Sequence, residues 1–484
     1  MDSIKKTCLL SVAFLSITCL VVPQKSLHKI SKEQKLYELS MVWKELSYNF
    51  ANMDNCPGLN MDSLYRAYIP IIQDSKNDFE YYKSMQKFLA CFHNGHTSAS
   101  MPDYLNNQLS YPLLVTSYNE GKLYIENIGS HYSKKVTVGD EILTIDGMPA
   151  MKYINENGSV YDSESNPDIS KMTYSMFNPS LTLVSFAPKA YKKRLKLEVK
   201  TADGIKKVQI PYDIDINPLP SDSARQNKLD YIKKRNLQLN RENILLVDSV
   251  NSFAYIRFTK CDKEFDAFFQ KHQGVIKKYD NLIVDITDNS GGDGNAVTNA
   301  ISFLVDNDSL QWNKYKTRIN KANYRAKASS RLYYYKANDV SQQDKDLFYP
   351  YFYDTAFEDV PYSVFANRLP SAERYKGNIY VITAPNTASA AEFFAIVLTI
   401  NPKTRILGKR TAGANGQPLV VRLPSGIEVL INTCKTFDYR GRDVSSGITP
   451  DYERDFSDIY KIGKPVDWFR KVEEYVNELS QIKK

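Results

Sequence analysis

The chain has 484 residues, 43% of them hydrophobic and 24% charged. Those proportions exclude wholesale disorder, a collagen-like repeat and a polytopic membrane protein. The net charge is +8, but 55 acidic residues are interspersed among 63 basic ones. No basic patch is concentrated on a nucleic-acid module, so no nucleic acid is expected as a partner. At roughly 100–200 residues per domain, a chain of this length predicts about two to four domains.

Lys5 and Lys6 precede an apolar run over residues 8–22, broken only by Ser and Thr. A spanning helix needs about 20 apolar residues, so the run reads as a secretory signal over residues 1–24. The protein is therefore expected to be exported, to the periplasm or cell envelope of a bacterium. Cys19 is the residue a lipoprotein signal would lipidate, giving membrane attachment, although Ser16-Ile17-Thr18 fits that pattern poorly. An uncleaved anchor is the alternative. Beyond the leader, Cys56, Cys91, Cys261 and Cys434 lie far apart. With no C-x-x-C pair, no zinc site is expected. Cys56 and Cys91 form a disulfide, or all four remain free thiols.

Residues 28–106 read as an N-terminal helical domain. Ser31 and Gln34 make a capping-box pattern, and Leu36, Leu39, Trp43, Leu46 and Phe50 follow at helical spacing. A second helix begins after Asn77, with Phe79, Tyr82, Met85, Leu89 and Phe92 on one side and Gly95 as a stop signal. His96 falls just past that stop. Residues 110–215 carry short β-rich runs at 113–117, 122–125, 141–145, 195–199 and 207–210, separated by Gly and Asp turns, and predict a small β domain. The polar stretch 218–243 reads as a linker.

From residue 245 to 484 strands and helices alternate. Strands at 253–258, 281–286 and 378–383 precede helices at 264–279, 296–304 and 388–400, which predicts an α/β core. An insertion rich in Tyr and Lys, 306–376, is too long for a plain connection and reads as a lid or substrate wall.

In open α/β sheets, sites gather beyond the carboxyl ends of strands. The turn after 281–286 contains Gly291 and Gly292, and the one after 378–383 contains Ser389, Ala390 and Glu392. If the two strands are neighbours, both turns share one rim. Ser389 then stands at a helix start, where unpaired backbone N–H groups face negative charge. Acyl transfer needs a hydroxyl nucleophile and donors for the oxyanion. The Ala390 N–H is one candidate donor, and Gly291 or Gly292 supplies another. A Ser before a helix is also an ordinary N-cap, and a Gly-Gly turn can cradle phosphate, although no Walker lysine follows this one. Of the five histidines, His28, His93, His96, His131 and His272, the pair His93 and His96 stands out in His93-Asn94-Gly95-His96-Thr97-Ser98.

Together these segments resemble the tail-specific, or C-terminal processing, serine peptidases and their tricorn-protease relatives. The matching strings are 282–286 through Asn289-Ser290-Gly291-Gly292, Thr387-Ala388-Ser389-Ala390-Ala391-Glu392, 406–413, Leu423-Pro424-Ser425-Gly426 and Gly447-Ile448-Thr449-Pro450-Asp451. The run 139–147 resembles part of the PDZ-type domain these enzymes carry, and Gly95-His96-Thr97 resembles their D-G-H-T signature, with Asn94 in place of Asp. The resemblance implies a ClpP/crotonase-like α/β peptidase core, a PDZ-like domain over 110–215 and protein or peptide substrates. It makes Ser389 the nucleophile, with Ala390 and the Gly291-Gly292 turn as oxyanion-hole elements.

Ser–Lys members of the family carry a lysine 25 positions after the serine, where this chain has Ala414. Lys409 and Arg410 are out of register. The tricorn-like branch uses a histidine from the D-G-H-T region instead, which makes His96 the general base. That branch also carries an acidic residue shortly before G-I-x-P-D. Val444 occupies the register here with Asp443 adjacent, so Asp443 is one candidate orienting group, and Thr97, Ser98 and Ser445 are others. No G-L-G-F-like carboxylate loop precedes the β domain. No cofactor or metal is expected, since neither H-E-x-x-H nor a clustered Cys/His set occurs. The expected protein is an exported serine peptidase working through an acyl-enzyme at Ser389. The alternative is an inactive protein that binds a peptide or apolar ligand on the same fold.

Overall fold

The computed structural model describes residues 30–112, 114–128, 135–166, 187–188, 194–212, 214–215, 243–360, 364–456 and 465–482. The expected leader with Cys19, His28, His131 and nearly all of the expected linker at 218–243 lie outside the described residues.

Helix α1 (Lys32–Asn49) starts at Ser31, whose side chain accepts the Gln34 N–H at 3.1 Å. The reciprocal half of the expected capping box is not formed. Gln34 instead donates from Nε2 to Glu38 at 3.0 Å. Glu38 is fully buried and also accepts from Tyr81 Oη, Ser425 N and Ser425 Oγ, each at 2.7 Å. The buried stripe of α1 is Lys35, Glu38, Leu39, Val42 and Leu46, rotated from the apolar face read in the sequence. Lys35 and Glu38 tolerate burial because both have partners, Lys35 Nζ donating to Ser75 O and Oγ at 2.9 Å. Helices α2 (Met61–Gln73) and α3 (Asp78–Ala90) follow, α3 capped by Asn77. Strand β1 (Ser98–Ser100) comes next. The apolar cluster of these helices includes Leu423, Ile427, Val429 and Ile431, so it closes only against the C-terminal half of the chain.

Five strands form an antiparallel sheet with neighbours in the order β2 (Leu114–Asn119), β3 (Lys122–Ile128), β4 (Glu141–Ile145), β5 (Arg194–Thr201) and β6 (Gly204–Pro211). Leu195, Leu197 and Val199 alternate into one face, which is covered by α4 (Ala150–Asn157) through Ile154.

The α/β unit contains β7 (Ile244–Asp248), β8 (Phe253–Arg257), α5 (Lys263–Ile276), β9 (Asn281–Asp285) and α6 (Thr298–Leu304). The insertion then forms β10 (Lys314–Arg318), the helix pair α7 (Ala322–Tyr334) and α8 (Gln342–Phe352), and β11 (Phe357–Val360). The chain returns through β12 (Asn378–Thr383), α9 (Ala390–Leu398) and β13 (Thr404–Gly408). It continues with β14 (Pro418–Arg422), β15 (Glu428–Asn432), β16 (Cys434–Phe437), β17 (Tyr452–Glu453) and α10 (Pro465–Ile482).

The central sheet runs β7-β8-β9-β12-β13-β17, with β7 antiparallel and the remaining pairings parallel. Its strands are apolar on both faces because both are covered. Ala254, Ile256, Leu282, Val284 and Val381 pack with α5, α6 and α9. Phe253, Tyr255 and Ile283 pack under Trp468, Phe469 and Val472 of α10. The four described cysteines are free. Cys56 donates its thiol to Phe92 O at 2.9 Å, and burial pushes that thiol up to about 12.

Candidate active site

Strands β9 and β12 are direct parallel neighbours, with Asp285 opposite Ile382. Their carboxyl-terminal turns therefore lie side by side, as the rim argument requires. A Cβ placed on Gly291 would fall 2.6 Å from Ser389 Cβ and 2.9 Å from Ala390 N. The Gly turn and the serine junction are thus in backbone contact, and only a residue without a side chain permits it.

Ser389 is the N-cap of α9 and has φ +54° and ψ −120°. A non-glycine residue in that region carries backbone strain of about 1–3 kcal/mol. An ordinary N-cap sits in the extended region instead. The surroundings hold the strained turn in place. The Ser389 N–H donates to Glu392 Oε2 at 3.1 Å, and the Ala388 N–H donates to Asn289 O at 3.0 Å. Glu392 is fully buried and also accepts from Thr411 Oγ1 at 2.6 Å and the Gly413 N–H at 2.8 Å. Burial pushes its carboxyl up to about 7, while those three donors pull the other way.

The expected oxyanion donors separate into two kinds. The Gly291 N–H is already given to Asn289 Oδ1 at 2.9 Å, which removes it from the candidate set. Gly292 pairs with Cys261 through its neighbours: the Cys261 N–H donates to Gly291 O, and the Asp293 N–H donates to Cys261 O. That arrangement leaves the Gly292 N–H unengaged among the described residues, as is the Ala390 N–H at the start of α9. Ala390 and Gly292 are therefore the available pair.

His96 is half-buried in the loop between α3 and β1. Its N–H donates to Asn94 Oδ1 at 3.0 Å, and the Thr97 N–H donates to Asn94 O at 2.8 Å, a tight turn that fixes the loop. Immediately afterwards β1 pairs antiparallel with β15, Ser98 opposite Leu430, so the helical region's loop is stitched into the C-terminal half. The His96 ring nitrogen Nδ1 lies 3.0 Å from Gly416 O. A carbonyl only accepts, so Nδ1 carries the hydrogen and Nε2 keeps its lone pair. Burial lowers the His96 pKa, with the Gly416 contact opposing the shift.

Gly416 follows the same loop whose Gly413 N–H is held by Glu392. Through that loop the His96 and Ser389 neighbourhoods share a wall. The partner of His96 Nδ1 is this backbone carbonyl. Asp443 is exposed and its carboxylate accepts the N–H of Ser445 at 2.8 Å. Thr97 Oγ1 and Ser445 Oγ are likewise engaged elsewhere, by Asn432 N and Thr436 N. His93 is exposed, and His272 stacks near Phe268 within α5. Ala414 and Val444 are both buried. Among the described residues no group of three or more His, Cys, Asp or Glu side chains is placed to hold a metal ion.

Sequence reasoning missed two parts. Glu392 stands three positions after Ser389, a capping-box spacing that was legible in principle. The Gly416 carbonyl carried no signal, being a backbone group 320 positions from His96.

Comparison with known proteins adds the lineage. The family model described as Peptidase family S41 matches residues 252–454. No curated protein matches the chain in sequence. Among solved structures, mature CPAF complexed with lactacystin is 16% identical with a TM-score of 0.63, the alignment covering 93% of this chain and 98% of that one. Mature CPAF solved separately gives 16% identity and a TM-score of 0.60 over 87% and 92% of the respective chains. The photosystem II D1 C-terminal processing protease gives 15% identity and a TM-score of 0.43 over 88% and 95%. At these identities the CPAF likeness carries the fold. The resemblance read from the motifs and the family match agree over the α/β unit, where residues 252–454 are similar to peptidase family S41.

Proposed function

We propose that this protein is a serine peptidase that hydrolyses peptide bonds of protein or peptide substrates, with Ser389 as nucleophile and His96 as general base. The observation that carries the reading is the strained Ser389 turn, φ +54°, lying against two unengaged backbone N–H groups. Strain of this kind persists where the surroundings over-determine it, and Glu392 does so here.

In this reading His96 Nε2 takes the Ser389 proton as Oγ attacks the scissile carbonyl. The carbonyl π electrons move to oxygen, and the Ala390 and Gly292 N–H groups receive that oxyanion. Collapse breaks the C–N bond, and the His96 imidazolium returns the proton to the leaving amine. Water then repeats the sequence on the acyl-enzyme, regenerating Ser389. The Gly416 carbonyl holds the Nδ1 hydrogen in place throughout. The β domain is read as PDZ-like, docking on or gating the core. The leader places the protein in a bacterial cell envelope, with Cys19 as the lipid attachment point.

The experiment is labelling with a fluorophosphonate probe. The wild-type chain is expected to label at Ser389, and Ser389→Ala is expected to abolish the label with its fold intact. Peptide mapping that puts the adduct elsewhere, or no labelling of the wild type alongside no peptidase activity, would leave the ligand-binding alternative standing.

A further inference from the structure

Glu164 has no part in the chemistry above, yet its carboxyl packs on the residue before His96. Residues 162–166 leave the β domain after α4 and enter the crevice beside the Gly413 loop. Ser165 Oγ donates to Ala412 O at 3.1 Å, and Asn166 Nδ2 donates to Thr411 O at 3.3 Å. The Glu164 N–H donates to Asp162 Oδ1 at 2.9 Å. The Glu164 side chain packs on the backbone of Gly95, the residue before His96. A Cβ on residue 95 would lie 2.7 Å from Glu164 Cδ and Oε1. The carboxyl also feels the charge of Glu392, which holds the Ser389 N–H. Glu164 Oε2 is buried with no hydrogen-bond partner among the described residues.

We propose that Glu164 is a positioning residue for the Ser389 centre: packed on Gly95, in a segment bonded to the backbone of Thr411 and Ala412, it fixes the loop that carries His96 against the loop that Glu392 ties to the Ser389 turn. The proposal rests on the peptidase reading of that centre. It brings the segment after α4 into the neighbourhood of the site.

The contact works with an uncharged carboxyl. An orphaned carboxylate oxygen facing other carboxyls favours the protonated form. Burial pushes the Glu164 carboxyl up to about 8, with Asp162 and Glu392 adding to the rise. The charged groups that act on it are Asp162 on its own segment and Glu392 on α9; His96 follows Gly95 in the loop it packs on, and the Arg410 guanidinium of the adjoining loop is turned to Ser446 Oγ. A folded-state pKa near 8, against an ordinary 4.5, means that the folded chain holds a proton the unfolded chain has released. The stability tied to that proton is fully present below the unfolded value and is lost as pH rises through the folded one.

The test compares wild type, Glu164→Gln and Glu164→Ala in the whole chain. Glutamine keeps the shape and stays neutral, so its melting temperature should gain steadily on the wild type from about pH 5 to about pH 8.5 and then run parallel. Its fluorophosphonate labelling rate relative to wild type should rise roughly tenfold over the same pH range. Alanine should speed amide exchange in residues 93–97 and 387–392 together at every pH. Parallel melting curves for wild type and Glu164→Gln, or unchanged exchange in those two segments, overturn the proposal. Failure of the wild type to label, alongside no peptidase activity, overturns the peptidase reading, while the melting and exchange arms still report on Glu164 directly.

Discussion

Replacing Gly291 by alanine tests the claim that the Gly turn and the serine junction form one rigid unit. The new Cβ would meet Ser389 Cβ at 2.6 Å, Ala388 O at 2.8 Å and Ala390 N at 2.9 Å. Two of those atoms are backbone, so relief requires the strained turn itself to move. Gly291 also has φ +97°, and a left-handed L-residue costs about 1–2 kcal/mol. Overpacking a tight site adds about 1–3 kcal/mol, so the expected loss is about 2–5 kcal/mol. Gly441→Ala is the matched control, because it has φ +83° with nothing within 4 Å of its added Cβ. It should show the backbone cost alone, about 1–2 kcal/mol. Urea unfolding of both variants isolates the steric contribution, and fluorophosphonate labelling reports on the site. Gly291→Ala should label at least roughly a hundredfold more slowly than Gly441→Ala, in keeping with loss of an oriented oxyanion donor. Equal stability and equal labelling in the two variants would refute the packing argument.

Two further outcomes follow from the same geometry. His96 is held below its ordinary pKa by burial, so the acid limb of labelling and turnover should have its midpoint below 6.5, and a pH–rate profile with the limb above that value would remove His96 as the base. Glu392→Ala strips the acceptor from Ser389 N, Thr411 Oγ1 and Gly413 N; at about 1–3 kcal/mol for each stranded donor, thermal melts should show severe destabilisation, and a change within about 1 kcal/mol would mean that the three bonds are redundant.

The sequence read the periodic parts well, because period follows directly from burial. The runs at 141–145 and 378–383 became β4 and β12 with the same bounds. Helix α2 was missed, and Pro70 lies inside it; the α1 stripe was misjudged because Lys35 and Glu38 are buried on partners distant in sequence. Ser389, Ala390, the Gly291-Gly292 turn and the His93/His96 loop could be marked as candidates from local signals, a strand end, a helix start and a helix stop, and the family resemblance chose His96 among the histidines.

What the chain order could not fix is which distant groups meet. Gly416 O lies opposite His96, Asn289 takes the Gly291 N–H, and Glu164 packs on the distant Gly95. Asp443, adjacent to the register of the missing acid, faces solvent instead. Local pattern sets the elements and the residues at their ends, because propensity and amphipathicity act over a few positions. Hydrogen-bond partners and charge neighbours across hundreds of residues are set by how the layers pack, and tertiary structure alone decides those.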